Sequence, residues 1–143
     1  MALVKAMQQD ATQSAGALGR DLGLSQPATW RRLQKLQAAG VFKGRRVKLD
    51  AEKLGFGVTV FLGVKLATKG RVSLDDFERA VIAIPEVQTA EHMLGLYDYR
   101  LRVVARDLAD FERILRRRIM TLPGAGDVEA NVLLSEERLP GPL

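Results

Sequence analysis

The 143-residue chain has no cysteine. Disulfides and thiolate chemistry are therefore excluded, and a reducing cytoplasm is the compartment the composition fits. It has a single histidine, His92, so a metal centre built from converging imidazoles and thiolates is excluded as well, and no cofactor is expected. No apolar run approaches the ~18 residues that cross a bilayer. The opening "MALVKAMQQD" is too short and too polar for a secretory leader, so no membrane partner is expected. There is no Walker-type loop, no GxGxxG after a strand and no Ser-His-Asp set. Asp75 and Asp76 fall at a helix start, where carboxylates stabilise the helix dipole. Nothing in the chain points to catalysis.

What remains is a folded chain, 47% apolar and 27% charged. Its net charge of +5 is unevenly spread: residues 1–57 hold 10 Lys+Arg against 4 Asp+Glu, whereas residues 58–143 hold 12 against 13. A basic segment joined to a near-neutral one suggests a polyanion-binding module tethered to something else.

The first segment reads as short helices. Leu3, Val4 and Met7 form a brief apolar stripe. Ser14 caps a second helix, with Ala17, Leu18 and Leu22 inward and Gly23 at its end, although Gly16 and Gly19 inside it each cost about 0.5–1 kcal/mol relative to alanine. Ser25 follows at once as the cap of a third helix, with Pro27 in its first turn and Gly40 as its stop. Two helices joined by "GLS" make a helix-turn-helix. Along the third helix, Thr29, Trp30, Leu33 and Leu36 fall to the inward side, with Arg31, Lys35 and Ala28 opposite. A helix with one apolar and one basic side can enter the major groove of double-stranded DNA, and Ser25 and Gln26 at its N-terminus suit a phosphate. In "VFKGRRVKLD", Val41 and Phe42 are expected to pair with Val47 and Leu49 as a two-stranded wing, whose tip places Arg45 and Arg46 against phosphate or the minor groove.

Residues 50–57 read as a linker between a domain at 1–49 and one at 58–143. Beyond it the period changes. Val58, Val60, Leu62, Val64 and Leu66 alternate on one face of a strand. Ser73 is expected to cap a helix with Leu74, Phe77, Val81 and Ile84 inward. Strands follow at Val87–Leu94 and Arg100–Arg106, then a helix capped by Asp107 with Leu108, Phe111, Leu115, Ile119 and Leu122 inward. Val128–Leu134 is a last strand, and "LPGPL" reads as a frayed end. The order β-α-β-β-α-β gives an α+β chain: a winged helix-turn-helix followed by a ferredoxin-like sandwich. Helices cover one sheet face only. Phe61 points to the other, and a homodimer is the simplest cover. The run Arg116–Arg118 lies outward and reads as a solvated face, paired with Asp110, Glu112 and Glu78, or alternatively as a second nucleic-acid patch.

Laid out this way, the chain resembles the Lrp/AsnC (feast/famine) family of transcription regulators. The likeness rests on "LGLS" leading into "TWRRLQKLQAAGVFKG", on "LDAEKLG", on "GLYDYRLRV" and on "LPGAGDVEANVLL", all in order and spacing. It implies a DNA-binding domain and a ferredoxin-like RAM domain that binds a small effector, usually an amino acid, and assembles into dimers and often octamers. DNA-reading positions carry over onto Ser25, Gln26, Ala28, Thr29, Arg31, Arg32 and Lys35. The effector region carries over onto Gly95, Leu96, Tyr97 and Asp98, with Leu108, Asn131, Val132 and Leu133 close by. Two departures stand out: the usual longer first helix is reduced to "MALVKAM", and Leu96 replaces a polar residue.

The step "GLYDY" itself reads either as a plain turn or as the rim of a ligand site, with Tyr97 and Tyr99 pointing to opposite sides. Two other functions fit the same plan. One is an amino-acid sensor or assembly partner that no longer reads DNA. The other is a decarboxylase of haem-type biosynthesis, for which one histidine and two tyrosines are a poor endowment.

Overall fold

The computed structural model describes residues 1–67 and 71–137. These divide into two compact units, one ending at Lys48 and the next running from Leu49 to Glu137. The "LPGPL" tail lies outside the described residues.

The first unit is three helices: α1 (Ala2–Gln9), α2 (Ala15–Leu22) and α3 (Gln26–Ala38). Its core is small: Leu3, Met7 and Leu18, with Leu22, Leu33, Leu36 and Phe42 packed partly against them. The turn between α2 and α3 is made by its own chemistry. Ser14 and Ser25 accept the N–H of Ala17 and Ala28 at 3.1 and 3.4 Å, closing the starts of both helices. Gly23 ends α2 in the left-handed region at φ 67°, and the Leu24 N–H reaches the Gly19 carbonyl at 2.7 Å.

Gly19 has a positive role that outweighs its cost to the helix. A Cβ there would stand 2.7 Å from the Leu24 carbonyl oxygen and 2.9 Å from Thr29 Oγ1, so only glycine lets α2 and α3 approach this closely. Thr29, fully buried at 0% exposure, donates its hydroxyl to the Ser25 carbonyl at 2.9 Å and needs no further partner. Because Thr29 takes the innermost place on α3, Trp30 is turned aside and is 56% exposed, contrary to its expected place in the core.

The expected wing is not a paired ribbon. Residues 42–50 contain no helix or strand, and Val47 is 84% exposed. Lys43, Arg45, Arg46 and Lys48 crowd four like charges into this short segment, and an isolated two-stranded hairpin is marginal even without them.

The second unit opens with turns at 51–55, where the Phe56 N–H reaches the Ala51 carbonyl. Its sheet has the order β2-β3-β1-β4, all antiparallel, from β1 (Val58–Leu66), β2 (Val87–His92), β3 (Tyr99–Ala105) and β4 (Ala125–Val132). The helices α4 (Arg71–Ile82) and α5 (Leu108–Ile114) supply the rest of the core. Val60, Leu62 and Val64 of β1 meet Leu101 and Val103 of β3, with Phe77 and Val81 from α4 and Phe111 and Ile114 from α5. The alternation read along β1 is therefore the core face.

Three details differ from expectation. Helix α4 starts at Arg71, so Ser73 lies inside it rather than at its cap. The last strand begins at Ala125, three residues early, because it pairs with β1 as far as Leu66. After α5 the chain makes a π-helical turn, Leu115–Ile119, in which the Met120 N–H bonds back to the Leu115 carbonyl. The extra residue in that turn lets Ile114 and Ile119, five apart, both face the core. Leu108, expected inward, is 59% exposed, since Phe111 and Ile114 fill the core face of this short helix.

Substituting Gly19→Ala should lower the stability of the first unit by about 1–3 kcal/mol despite alanine's better helix propensity. Thermal unfolding followed by Trp30 fluorescence checks this; an unchanged or raised midpoint would contradict the close helix crossing.

Candidate functional site

With Thr29, Leu33 and Leu36 turned inward, the opposite side of α3 carries Arg31, Gln34 and Lys35, all exposed. Arg32 lies on one flank, beside Leu22 and Leu24. Ser25 and Gln26 stand exposed at the helix start, with Ala28 half-buried behind them. Thr29 leaves the set of DNA-reading candidates, because its side chain is enclosed and its hydroxyl is spent on the Ser25 carbonyl. Arg45 and Arg46 are exposed on the unpaired segment. Gln34, not among the candidates read from the sequence, is exposed on the same face; its amide can both donate and accept, and it sits one turn from Arg31. The signal that could have found it is the inward place of Thr29, which rotates the outward face toward Gln34.

The two units treat their cations differently. Among the described residues no ion pair involves Arg31, Arg32, Lys35, Lys43, Arg45 or Arg46. In the second unit, Arg79, Arg100, Arg102, Arg113, Arg116 and Arg118 each hold a carboxylate. The arginine run is thus mostly neutralised locally: Arg116 pairs with Glu112 and Arg118 with Glu86. Of its expected partners, Asp110 pairs with Arg113 instead, and Glu78 accepts the Tyr99 hydroxyl.

A second site lies on the helix-free face of the sheet. Tyr97 and Tyr99 do point to opposite sides. Tyr99 is buried against Phe77, at 4.6 Å between ring centroids, and stacks on His92 at 4.8 Å, which gives the lone histidine a packing role. Tyr97 lays its ring across Gly63, where a Cβ would come within 2.6 Å of the ring, and donates its hydroxyl to Glu129. Asp98, between them, fastens the loop to β1: its N–H donates to the Val64 carbonyl at 3.0 Å, and its Oδ2 accepts the Leu66 N–H at 2.8 Å.

Together these contacts shape a cavity of about 220 Å³ lined by Phe61, Gly63, Met93, Gly95, Leu96, Tyr97, Arg100 and Asn131, among others. It brings together four of the effector candidates, Gly95, Leu96, Tyr97 and Asn131. Asp98, Leu108, Val132 and Leu133 are not on its wall. Phe61 lies under Arg100 and Arg102, at 5.9 and 5.4 Å from its ring to the guanidinium carbons. Among the described residues no cluster of side chains suits a metal ion, and no helix is long and apolar enough to cross a membrane.

A helix-turn-helix with unpaired outward cations, followed by a ligand-sized cavity on a one-sided sheet, defines a DNA-binding regulator with a separate ligand-binding unit. Comparison with known proteins gives the family. Residues 1–37 match the AsnC-type helix-turn-helix domain and residues 59–140 the Lrp/AsnC ligand binding domain, so the chain belongs to the Lrp/AsnC family of transcriptional regulators. It is 31% identical over 134 residues to the DNA-binding transcriptional activator DecR of Escherichia coli K12, covering 94% of this chain and 88% of that protein. It is 30% identical to the proline dehydrogenase transcriptional activator of Rhizobium radiobacter, covering 97% and 89%. The crystal structure of an AsnC family regulator from Agrobacterium tumefaciens superposes with a TM-score of 0.89 at 31% identity, covering 99% of this chain and 92% of that one. A Neisseria meningitidis regulator solved with L-Met has the same fold, with a TM-score of 0.90 at 23% identity, covering 96% and 89%.

The tyrosines supply a direct check on this geometry. Hydrogen bonding to Glu129 raises the pKa of Tyr97, and burial followed by hydrogen bonding to Glu78 raises that of Tyr99. In both cases the neutral phenol is the form the fold favours. The stability it contributes is complete below about pH 10 and is lost as pH rises beyond that. Ultraviolet titration of the folded protein should therefore show neither of its two tyrosines ionising at the ordinary value. A full one-tyrosine step near pH 10 would contradict one of the two contacts.

Proposed function

We propose that this regulator reads double-stranded DNA through the outward side of α3 and answers to an amino acid held at the loop 95–98, acting as a homodimer that further assembles. The observation that carries the DNA reading is the contrast in charge pairing: among the described residues the exposed cations of α3 and of the segment after it have no carboxylate partner, while six arginines of the second unit do. Unpaired Lys and Arg are what phosphate contact requires, because binding gains from released counterions rather than from broken ion pairs. Arg31, Gln34 and Lys35 face the groove, Arg32, Arg45 and Arg46 supply flanking phosphate contacts, and Ser25 and Gln26 offer the helix start to a phosphate.

For the effector, the support is that Gly95, Leu96, Tyr97 and Asn131, far apart in sequence, border one cavity of amino-acid scale. The L-Met bound to the Neisseria relative is in keeping with this. For the dimer, the support is the sheet face without helices, where Phe61 carries two arginines above its ring. Two recognition helices related by a two-fold axis would then meet successive major grooves of a pseudo-palindromic site. A catalytic role finds no support: the relatives are regulators, and the carboxylate of "GLYDY" is occupied by a strand N–H.

The double variant Arg31→Ala, Arg32→Ala should abolish operator binding in a gel shift while leaving the oligomer unchanged by sedimentation. Arg45→Ala should leave sequence preference intact and reduce the slope of log K against log salt by about 0.9, one phosphate contact. Normal operator binding by the double variant would overturn the assignment of α3.

A further inference from the structure

We infer that the cavity beside the loop selects an amino acid with an uncharged, apolar side chain, and that Leu96 is the residue that makes the selection. This rests on the reading of the loop 95–98 as the effector site.

The cavity wall limits what can enter it. At about 220 Å³ it falls below the ~300–1,000 Å³ of sites for drug-sized ligands and suits something smaller. Its one cation is already committed: Arg100 meets one carboxylate oxygen of Glu91, Oε2, through Nε at 2.7 Å and Nη2 at 2.6 Å. The phenol of Tyr97 is committed to Glu129, and that of Tyr99 to Glu78. An acidic side chain entering here would find no free cation, and a basic one would have to compete with the ligand's own α-ammonium group for Glu129, so both are disfavoured. An apolar one would meet Phe61, Met93 and Leu96. Leu96 is 74% exposed and Met93 is also exposed, an apolar pair left uncovered at the cavity mouth for a ligand to bury.

The two charged ends common to all amino acids do find partners. Among the described residues the backbone N–H groups of Gly95, Leu96 and Tyr97 donate to no protein acceptor, while the flanking N–H groups of Met93 and Asp98 are bonded. Successive unbonded amides in a tight loop are suited to capturing a carboxylate. On the opposite side, Asn131 gives one amide N–H to Glu129 at 3.3 Å and keeps its carbonyl oxygen as an acceptor for an ammonium group. Glu129 stands beside it, its carboxyl held below the usual range by the Tyr97 hydroxyl and the Asn131 amide, so the negative charge that attracts an ammonium is present. The zwitterion is thus held by groups that ignore the side chain, and Leu96 with Met93 and Phe61 reads the side chain.

The test is calorimetric titration of the full chain with leucine, methionine, phenylalanine, aspartate, glutamate, lysine and arginine, repeated on Leu96→Asp and Leu96→Ser. At least one apolar amino acid should bind the parent protein about tenfold or more tighter than every charged one. Leu96→Asp should lose that preference and gain affinity for lysine or arginine, and Leu96→Ser should lose it without that gain. The exposed position of Leu96 makes both variants foldable, and an unchanged thermal midpoint verifies it. A charged amino acid binding the parent as tightly as any apolar one would overturn the selection while leaving the effector site standing. An unaltered ranking in both variants would remove Leu96 as the selector. Binding of none of the seven overturns the inference, and extending the titration to the remaining amino acids with no binding would remove the effector reading too.

Discussion

A sheet with helices on one face only is the constraint from which the rest of the second unit follows. Strand β1 lies between β3 and β4, and its Val60, Leu62 and Val64 are fully committed to the helix side. Whatever happens on the other side must therefore be built from Phe61, Gly63 and the residues facing them, Arg100, Arg102, Glu129 and Asn131. Gly63 leaves room for the Tyr97 ring, the ring reaches Glu129, and the cavity forms beside it. Asp98 is the fastening: it extends the β1–β3 ladder with its own N–H and with a side-chain oxygen, so the loop cannot lift without releasing two strand hydrogen bonds. A ligand on this loop would act on the strand that joins both halves of the sheet.

The first unit is held by a different economy. Its core is small, and its geometry depends on Gly19 and Thr29 permitting a close crossing of α2 and α3. That crossing fixes which side of α3 faces out. Because Thr29 rather than Trp30 points inward, the outward face is centred near Arg31 and Gln34, and Trp30 is left at the mouth of an apolar groove with Val4, Met7 and Phe42. A single buried hydroxyl, satisfied within its own helix, thus sets which side chains of α3 face outward.

The two-unit order, the caps at Ser14 and Ser25, the glycine stop at Gly23 and the alternation along β1 were all legible in the chain, since each is a local pattern with a local cause. So was the opposite pointing of Tyr97 and Tyr99, which follows from the two-residue period of extended chain. The misses share a different origin. Trp30 was placed inward by helical angle and hydrophobicity, but the neighbouring helix comes so close at Gly19 that only a small residue fits there. Leu108 was placed inward by helical period, but Phe111 and Ile114 alone fill the core face of this short helix. The wing was read from alternation alone, without the repulsion among its four cations. Of the effector candidates, Gly95, Leu96, Tyr97 and Asn131 border the cavity, while Asp98, Leu108, Val132 and Leu133 do not, because sequence proximity does not tell which way a side chain points.

The measurement that tests the whole account most directly is selection of bound fragments from genomic DNA by the purified protein, with and without added amino acids. The account predicts enrichment of a limited set of fragments sharing a pseudo-palindromic motif, with occupancy altered by at least one amino acid. Enrichment no different from random DNA, or a set of fragments indifferent to every amino acid, would contradict it.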